Sequence, residues 1–172
     1  MEMRGTAHKF GDDVNTDYIL SSRHRTRTLD YQQLAAHLME DIRPGFYAQV
    51  NKGDFIVAGE NFGCGSSREY APKVIQAGGI AGILAKSFAR IFYRNAINLG
   101  LPLLECETEQ IANGDRLCVD LARGKVFHES RKVEIAASPI PEFMLTLLRE
   151  GGVVPFLRKY GKWSLPAPGG KR

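Results

Sequence analysis

The feature that most constrains this chain lies between residues 54 and 106, where short apolar stretches alternate with longer helical patterns. Asp54 to Ala58 (DFIVA), Ile80 to Ala85 (IAGILA) and Pro102 to Cys106 (PLLEC) are nearly continuous apolar runs of strand length. Runs of that kind suit strands covered on both faces. Between them, Arg68 to Ala77 (REYAPKVIQA) and Phe88 to Leu99 (FARIFYRNAINL) read as helices, stopped by Gly78-Gly79 and by Gly100. Pro72 falls in the first turn or two of its helix, where a missing N–H is tolerated. Strands alternating with helices specify an α/β fold with a parallel sheet and right-handed crossovers.

The flanking regions read differently. Phe10 to Leu20 (FGDDVNTDYIL) has the pattern of a turn feeding a strand edge, and Leu29 to Met39 that of a short helix capped by Asp30. Arg116 to Asp120, Lys125 to His128 and Lys132 to Ala136 are short strands joined by turns, followed by helices over Pro141 to Arg149 and Val153 to Tyr160. A chain of 172 residues, 44% hydrophobic, is enough for one domain with a full core. We therefore expect a single domain over 1–162 and a mobile Pro/Gly-rich tail over 163–172.

Composition narrows the function classes. The formal charge of +4 is scattered, with no block of five basic residues, which argues against a nucleic-acid partner. The densest basic stretch, Arg23 to Arg27 (RHRTR), reads by itself as a solvated loop. Cys64, Cys106 and Cys118 match neither a zinc ribbon nor a CxxC pair, so no metal is expected on this chain. A basic-then-apolar amino terminus and a run of roughly 18 apolar residues are both missing. The expected compartment is the cytoplasm, with reduced thiols and no membrane association.

Gly59 to Pro72, GENFGCGSSREYAP, joins the strand at residues 54–58 to the next helix. Open α/β sheets hold ligands at such junctions, beyond the carboxyl ends of strands and near helix amino termini. Gly63 and Gly65 let the backbone turn with positive φ and approach a ligand, and Ser66 or Ser67 is placed to cap the helix. Anion binding follows from that arrangement. No Lys precedes the serines, as a phosphate-binding P-loop requires, and Arg68 stands where a dinucleotide fingerprint wants a third glycine. On local residues alone, a capped helix after a tight turn remains the alternative.

Taken together, GENFGCGSSREYAP and AKSFARIFYRNAINLGLPLLEC resemble the 3-isopropylmalate dehydratase small-subunit family of the aconitase superfamily. GDDVNTDYIL, KGDFIVAG and PIPEFM extend the resemblance over about residues 10–160. Homoaconitase small subunits share these motifs. The resemblance implies a swivelling β/β/α domain with a mostly parallel sheet flanked by helices. It also implies a large-subunit partner that carries a four-iron four-sulfur cluster through its own cysteines, with no cofactor bound by this chain. The substrate would be a small 2-hydroxy di- or tricarboxylic acid.

By the same resemblance, Ser66 is the base that removes the proton beside a carboxylate. Such a serine must be held as alkoxide, which a helix amino terminus and Arg68 would favour. Arg68 resembles the arginine that grips a substrate carboxylate, a task for which a guanidinium fork suits better than an ammonium. Ser67 assists through a hydrogen bond, while Asn61, Gly63, Gly65 and Glu69 support the loop. Asp17 matches a motif near the site with a role open to a structural reading. Cys64 reads as a small buried filler in preference to a redox thiol.

Substrate choice resides in the loop Arg23-His24-Arg25-Thr26-Arg27-Thr28. Arg23 is expected to meet the shared carboxylates, and Arg25 or Arg27 either reads a distal anionic group or faces solvent. Isopropylmalate is the first expectation, homoaconitate the alternative. A non-catalytic anion- or RNA-binding domain is the reading from another class, which the intact GSSRE motif disfavours.

Overall fold

The computed structural model describes residues 1–163. In chain order these form β1 (Glu2–Lys9), α1 (Thr16–Ile19), α2 (Ser22–Arg25), α3 (Tyr31–Ala35), β2 (Phe55–Val57), α4 (Tyr70–Ala77), β3 (Gly82–Ala85), α5 (Arg90–Asn98), β4 (Leu103–Glu105), β5 (Arg116–Asp120), β6 (Lys125–His128), β7 (Val133–Ala136), α6 (Glu142–Arg149) and α7 (Val153–Tyr160). The expected α/β class is observed. Trp163 packs edge-on against Phe143 at 5.2 Å between ring centroids, and the rest of the expected tail, 164–172, lies outside the described residues.

The strands form one sheet in the order β4-β3-β2-β1-β5-β6-β7. β1 through β4 pair in parallel, whereas β1, β5, β6 and β7 pair antiparallel, so β1 belongs to both halves. Sequence reading assigned no element to this first strand. Its residues 2–6 pair with β5 and its residues 7–9 with β2, so the two halves are offset along it and its burial follows no simple alternation. The far edges also meet: Cys106 bridges Ala137, and the Ser138 N–H donates to the Glu105 carbonyl at 3.0 Å. The sheet is therefore curled, and backbone groups at both edges find partners at that seam.

Burial explains the two kinds of strand. In β2, Ile56 packs with Leu34, Leu38, Val74 and Ile75 on one side, while Phe55 and Val57 pack with Leu117, Val119 and Phe156 on the other. All three residues are fully buried, hence the unbroken apolar run. β5 and β6 alternate buried and exposed positions, as strands with one wet face do. Asp54 joins β1 to β2, accepting from Thr6 N at 2.9 Å and Asn51 N at 2.8 Å and pairing with His8 Nε2 at 2.9 Å. Burial pushes its carboxyl up, but His8 and the two N–H groups outweigh that and hold it below its ordinary value.

Two local expectations are corrected. Phe10 to Leu20 does not lead into a strand: β1 precedes it, and Thr16–Ile19 is a helical turn capped by Asn15, whose Oδ1 accepts from Asp17 N at 2.9 Å. The helix after Leu29 is short, Tyr31–Ala35, with Asp30 capping as expected through a 2.8 Å bond from Gln32 N.

Candidate active site

The loop from Gly59 to Glu69 is laced to its neighbours at several backbone points. Gly63 N donates to Val14 O at 2.8 Å, Thr16 N to Cys64 O at 2.8 Å, and Thr16 Oγ1 to Ser66 O at 3.0 Å. On the other side Phe62 N donates to Ser87 O at 3.1 Å and Ala89 N to Phe62 O at 2.9 Å. The loop is thereby fixed between the α1 segment and the start of α5. Both glycines are required for close approach as well as for backbone conformation. Gly63 has φ +81° and a Cβ there would stand 2.2 Å from the Phe92 ring; Gly65 has φ +92° and a Cβ would stand 2.4 Å from Asn15 Oδ1.

A cleft of about 310 Å³ opens at this junction, lined by Thr16, Gly63, Gly65 and Ser66 to Arg68 together with the first turn of α5 and Asn95. The structure thus brings Ser66, Ser67 and Arg68 together, with both serines exposed. The expected serine cap is not formed: α4 begins at Tyr70, Glu69 is at its N-cap position and no side chain caps it. The helix whose amino terminus lines the cleft is α5, which also starts without a side-chain cap. Its first turn brings in Arg90, a cleft residue that sequence reasoning missed. The signal was present in FARIF, since an arginine opening a helix right after a strand-end loop falls at the same rim as the glycine loop.

The supporting residues divide. Asn61, at φ +56°, donates from Nδ2 to Asp13 Oδ1 at 2.8 Å and from its N–H to Ser87 Oγ at 2.8 Å, bracing the loop. Asp17 reaches Arg68 directly, Oδ1 to Nη2 at 2.6 Å. Glu69 is exposed and lines a different hollow with Asn98 and Val153. Cys64 is half-buried, and burial together with the Asp13 charge pushes its thiol pKa up, away from thiolate character.

The loop arginines are not equivalent. Arg23 is held outward by Glu40 at 2.9 Å and Asp41 at 2.5 Å. Arg25 is half-buried, its guanidinium carbon 5.8 Å from the Tyr70 ring centroid. Arg27 is exposed. The one group of metal-ligand type among the described residues is His24, His37 and Glu40. Its imidazoles are 11° from parallel with centroids 3.7 Å apart, so their in-plane lone pairs run side by side and do not converge on a common point. Both rings instead reach the Glu40 carboxylate, at 2.5 Å and 2.7 Å. Burial pushes that carboxyl up, but Arg23, His37 and His24 outweigh it and bring it down to about 2.

The fold and the cleft define a small α/β domain that presents serines and an arginine at its strand ends, and the chain belongs to the aconitase C-terminal domain family, matching it over residues 11–109. It is 51% identical to a 3-isopropylmalate dehydratase small subunit of Archaeoglobus fulgidus, covering 94% of this chain and 98% of that one. It is 52% identical to the 3-isopropylmalate dehydratase small subunit of Wolinella succinogenes, covering 88% and 90%. The crystal structure of 3-isopropylmalate dehydratase from Methanocaldococcus jannaschii superposes with a TM-score of 0.89 at 45% identity, covering 94% of this chain and 96% of that one. No helix among the described residues is long and apolar enough to cross a membrane.

Proposed function

We propose that this chain is the small subunit of a 3-isopropylmalate dehydratase. With a large subunit it interconverts 2-isopropylmalate and 3-isopropylmalate, a hydro-lyase reaction of leucine biosynthesis carried out in the cytoplasm. The observation that carries the reading is the meeting of Ser66, Ser67 and Arg68 in one cleft, on a chain whose relatives bear that name over almost their full length.

In this reading residues 1–162 act as one swivelling unit that covers the partner's active site. A large subunit would carry a four-iron four-sulfur cluster, which would supply a Lewis acid toward the substrate hydroxyl and carboxylate. Ser66 takes the proton from the carbon beside a carboxylate, and Arg68 grips that carboxylate. The uncapped N–H groups of α5 and the guanidinium of Arg68 give the cleft positive potential, which favours an alkoxide on Ser66. Ser67 donates or accepts a hydrogen bond beside it. Homoaconitate is the second reading, favoured by the half-buried Arg25 near Tyr70, which adds a cation able to meet a further carboxylate.

The test is co-expression with the large subunit of the same organism, anaerobic purification, and assay with isopropylmalate and homoaconitate. A brown complex that turns over isopropylmalate with the higher kcat/KM supports the reading. A complex that forms but prefers homoaconitate replaces the substrate, and no complex or activity removes the reading altogether.

A further inference from the structure

Arg68 does not meet the cleft as a free side chain. Its Nη2 is paired with Asp17 Oδ1 at 2.6 Å, and its Nη1 donates to the hydroxyl of Tyr70. Its guanidinium carbon also stands 5.7 Å from the Tyr70 ring centroid, nearly the distance at which Arg25 approaches the same ring. Tyr70 is therefore the point where the 23–28 loop and the glycine loop meet. Of the five guanidinium N–H donors, two are committed, leaving Nε–H and one hydrogen on each Nη for a ligand. A bidentate carboxylate contact depends on the orientation of the guanidinium plane, and the two anchors on Asp17 and Tyr70 set that orientation.

We infer that Tyr70 is a positioning residue for substrate recognition: its hydroxyl fixes the Arg68 fork, and its ring holds Arg25 next to it. The ring gives each cation a polarised face, and Asp17 pairs directly with Arg68. Tyr70 is the first residue of α4, whose next residues Ala71, Val74 and Ile75 are buried in the core. The hydroxyl is thus delivered from a rigid element to a side chain on a loop, the arrangement that binding geometry requires. The inference deepens the dehydratase reading and rests on it for its kinetic arm only.

Two measurements test it. The first is a double-mutant cycle in the reconstituted complex, using Tyr70→Phe, Arg68→Lys and the pair. Phe keeps the ring and removes only the hydroxyl, so KM for the preferred substrate should rise about threefold to tenfold, the worth of one hydrogen bond, with kcat nearly unchanged. In the Arg68→Lys background the same change should have no further effect, because the fork it orients is gone. The second is NMR of the Arg68 Nη hydrogens, the ones that Tyr70 and Asp17 hold, in the isolated subunit, which needs neither partner nor substrate. Tyr70→Phe should speed their solvent exchange, and a variant whose signal matches the wild type overturns the inference, as does an additive cycle. An inactive wild-type complex removes the dehydratase reading while leaving the NMR result to decide the inference. Should Tyr70→Phe unfold the chain, Asp17→Asn releases the other anchor and should speed the same exchange; an unchanged signal there also counts against the proposal.

Discussion

The parallel half of the sheet and the antiparallel half share β1 and the closing seam, yet they solve different problems. In the parallel half, β1, β2 and β3 are each followed by a crossover to the next parallel strand, and the chain leaves β2 and β3 through the loops at 59–69 and 86–89, which meet at the cleft. In the antiparallel half, β5, β6 and β7 follow one another through tight turns, and their buried faces complete the core with α6 and α7. The first half accumulates exposed serines and charged groups at its strand ends. The second supplies apolar area to the core. Parallel topology thus creates the site, and antiparallel pairing with β5 stabilises β1, the neighbour of the strand from which the glycine loop leaves.

If that division is right, substitutions in the two halves should have opposite signatures. The largest effect belongs to Ser66→Ala in the reconstituted complex. If Ser66 is the proton acceptor proposed above, its loss should lower kcat by roughly a hundredfold to ten-thousandfold, the usual range for one acid–base group. Because Ser66 is exposed and caps no helix, the melting temperature should stay near the wild-type value. A variant that keeps full turnover would take Ser66 out of the chemistry.

Leu117→Ala is the mirror image. Leu117 is 1% exposed in the core of the antiparallel half, and truncating a buried leucine costs about 2 to 5 kcal/mol. Chemical denaturation should register that loss, while KM at low temperature stays unchanged. A marked change in KM with intact folding would break the comparison.

A smaller effect is expected where the halves no longer matter and only the 23–28 loop is at issue. Arg25→Leu should shift the kcat/KM ratio between homoaconitate and isopropylmalate toward isopropylmalate by about tenfold, from loss of one charge-assisted bond. Arg27→Leu, on an exposed position, should leave the ratio where it was. Equal ratios in both variants would assign the loop cations to solvent.

The smallest effect is on pH. With the Glu40 carboxyl held down to about 2, against roughly 4.3 for a free glutamate, its contribution is fully present above that ordinary value. It fades as the pH falls toward about 2. Since Arg23, His24 and His37 all converge on Glu40, residues 21–29 should gain amide hydrogen exchange through that window. Asp54 is depressed in the same direction, so β1 and β2 also lose support in acid, though from inside the core. Simultaneous opening of the loop and of β2 would show that the loop has no separate anchor.

The sequence determined the strands and helices of the crossover region because their patterns are local: unbroken apolar runs for strands covered on both sides, helical spacing between them, glycines at the stops. It determined the alternating strands of the second half for the same reason. It also marked the glycine loop, by its glycines and serines at a strand-to-helix junction, whereas the neighbours that a Cβ at Gly63 or Gly65 would strike, Phe92 and Asn15, are brought there by the fold. Only the tertiary structure could decide how β1 is shared, because its pairing with β5 over residues 2–6 and with β2 over 7–9 depends on partners far away in the chain. Likewise, Arg23, Arg25 and Arg27 are indistinguishable in a string of letters. Glu40 and Asp41 claim the first, the Tyr70 ring the second and solvent the third, and those partners are brought close by packing. The same holds for the helix that faces the cleft: two helices follow strand-end loops, and the fold, by seating Ala89 on Phe62, turned the start of α5 toward Ser66.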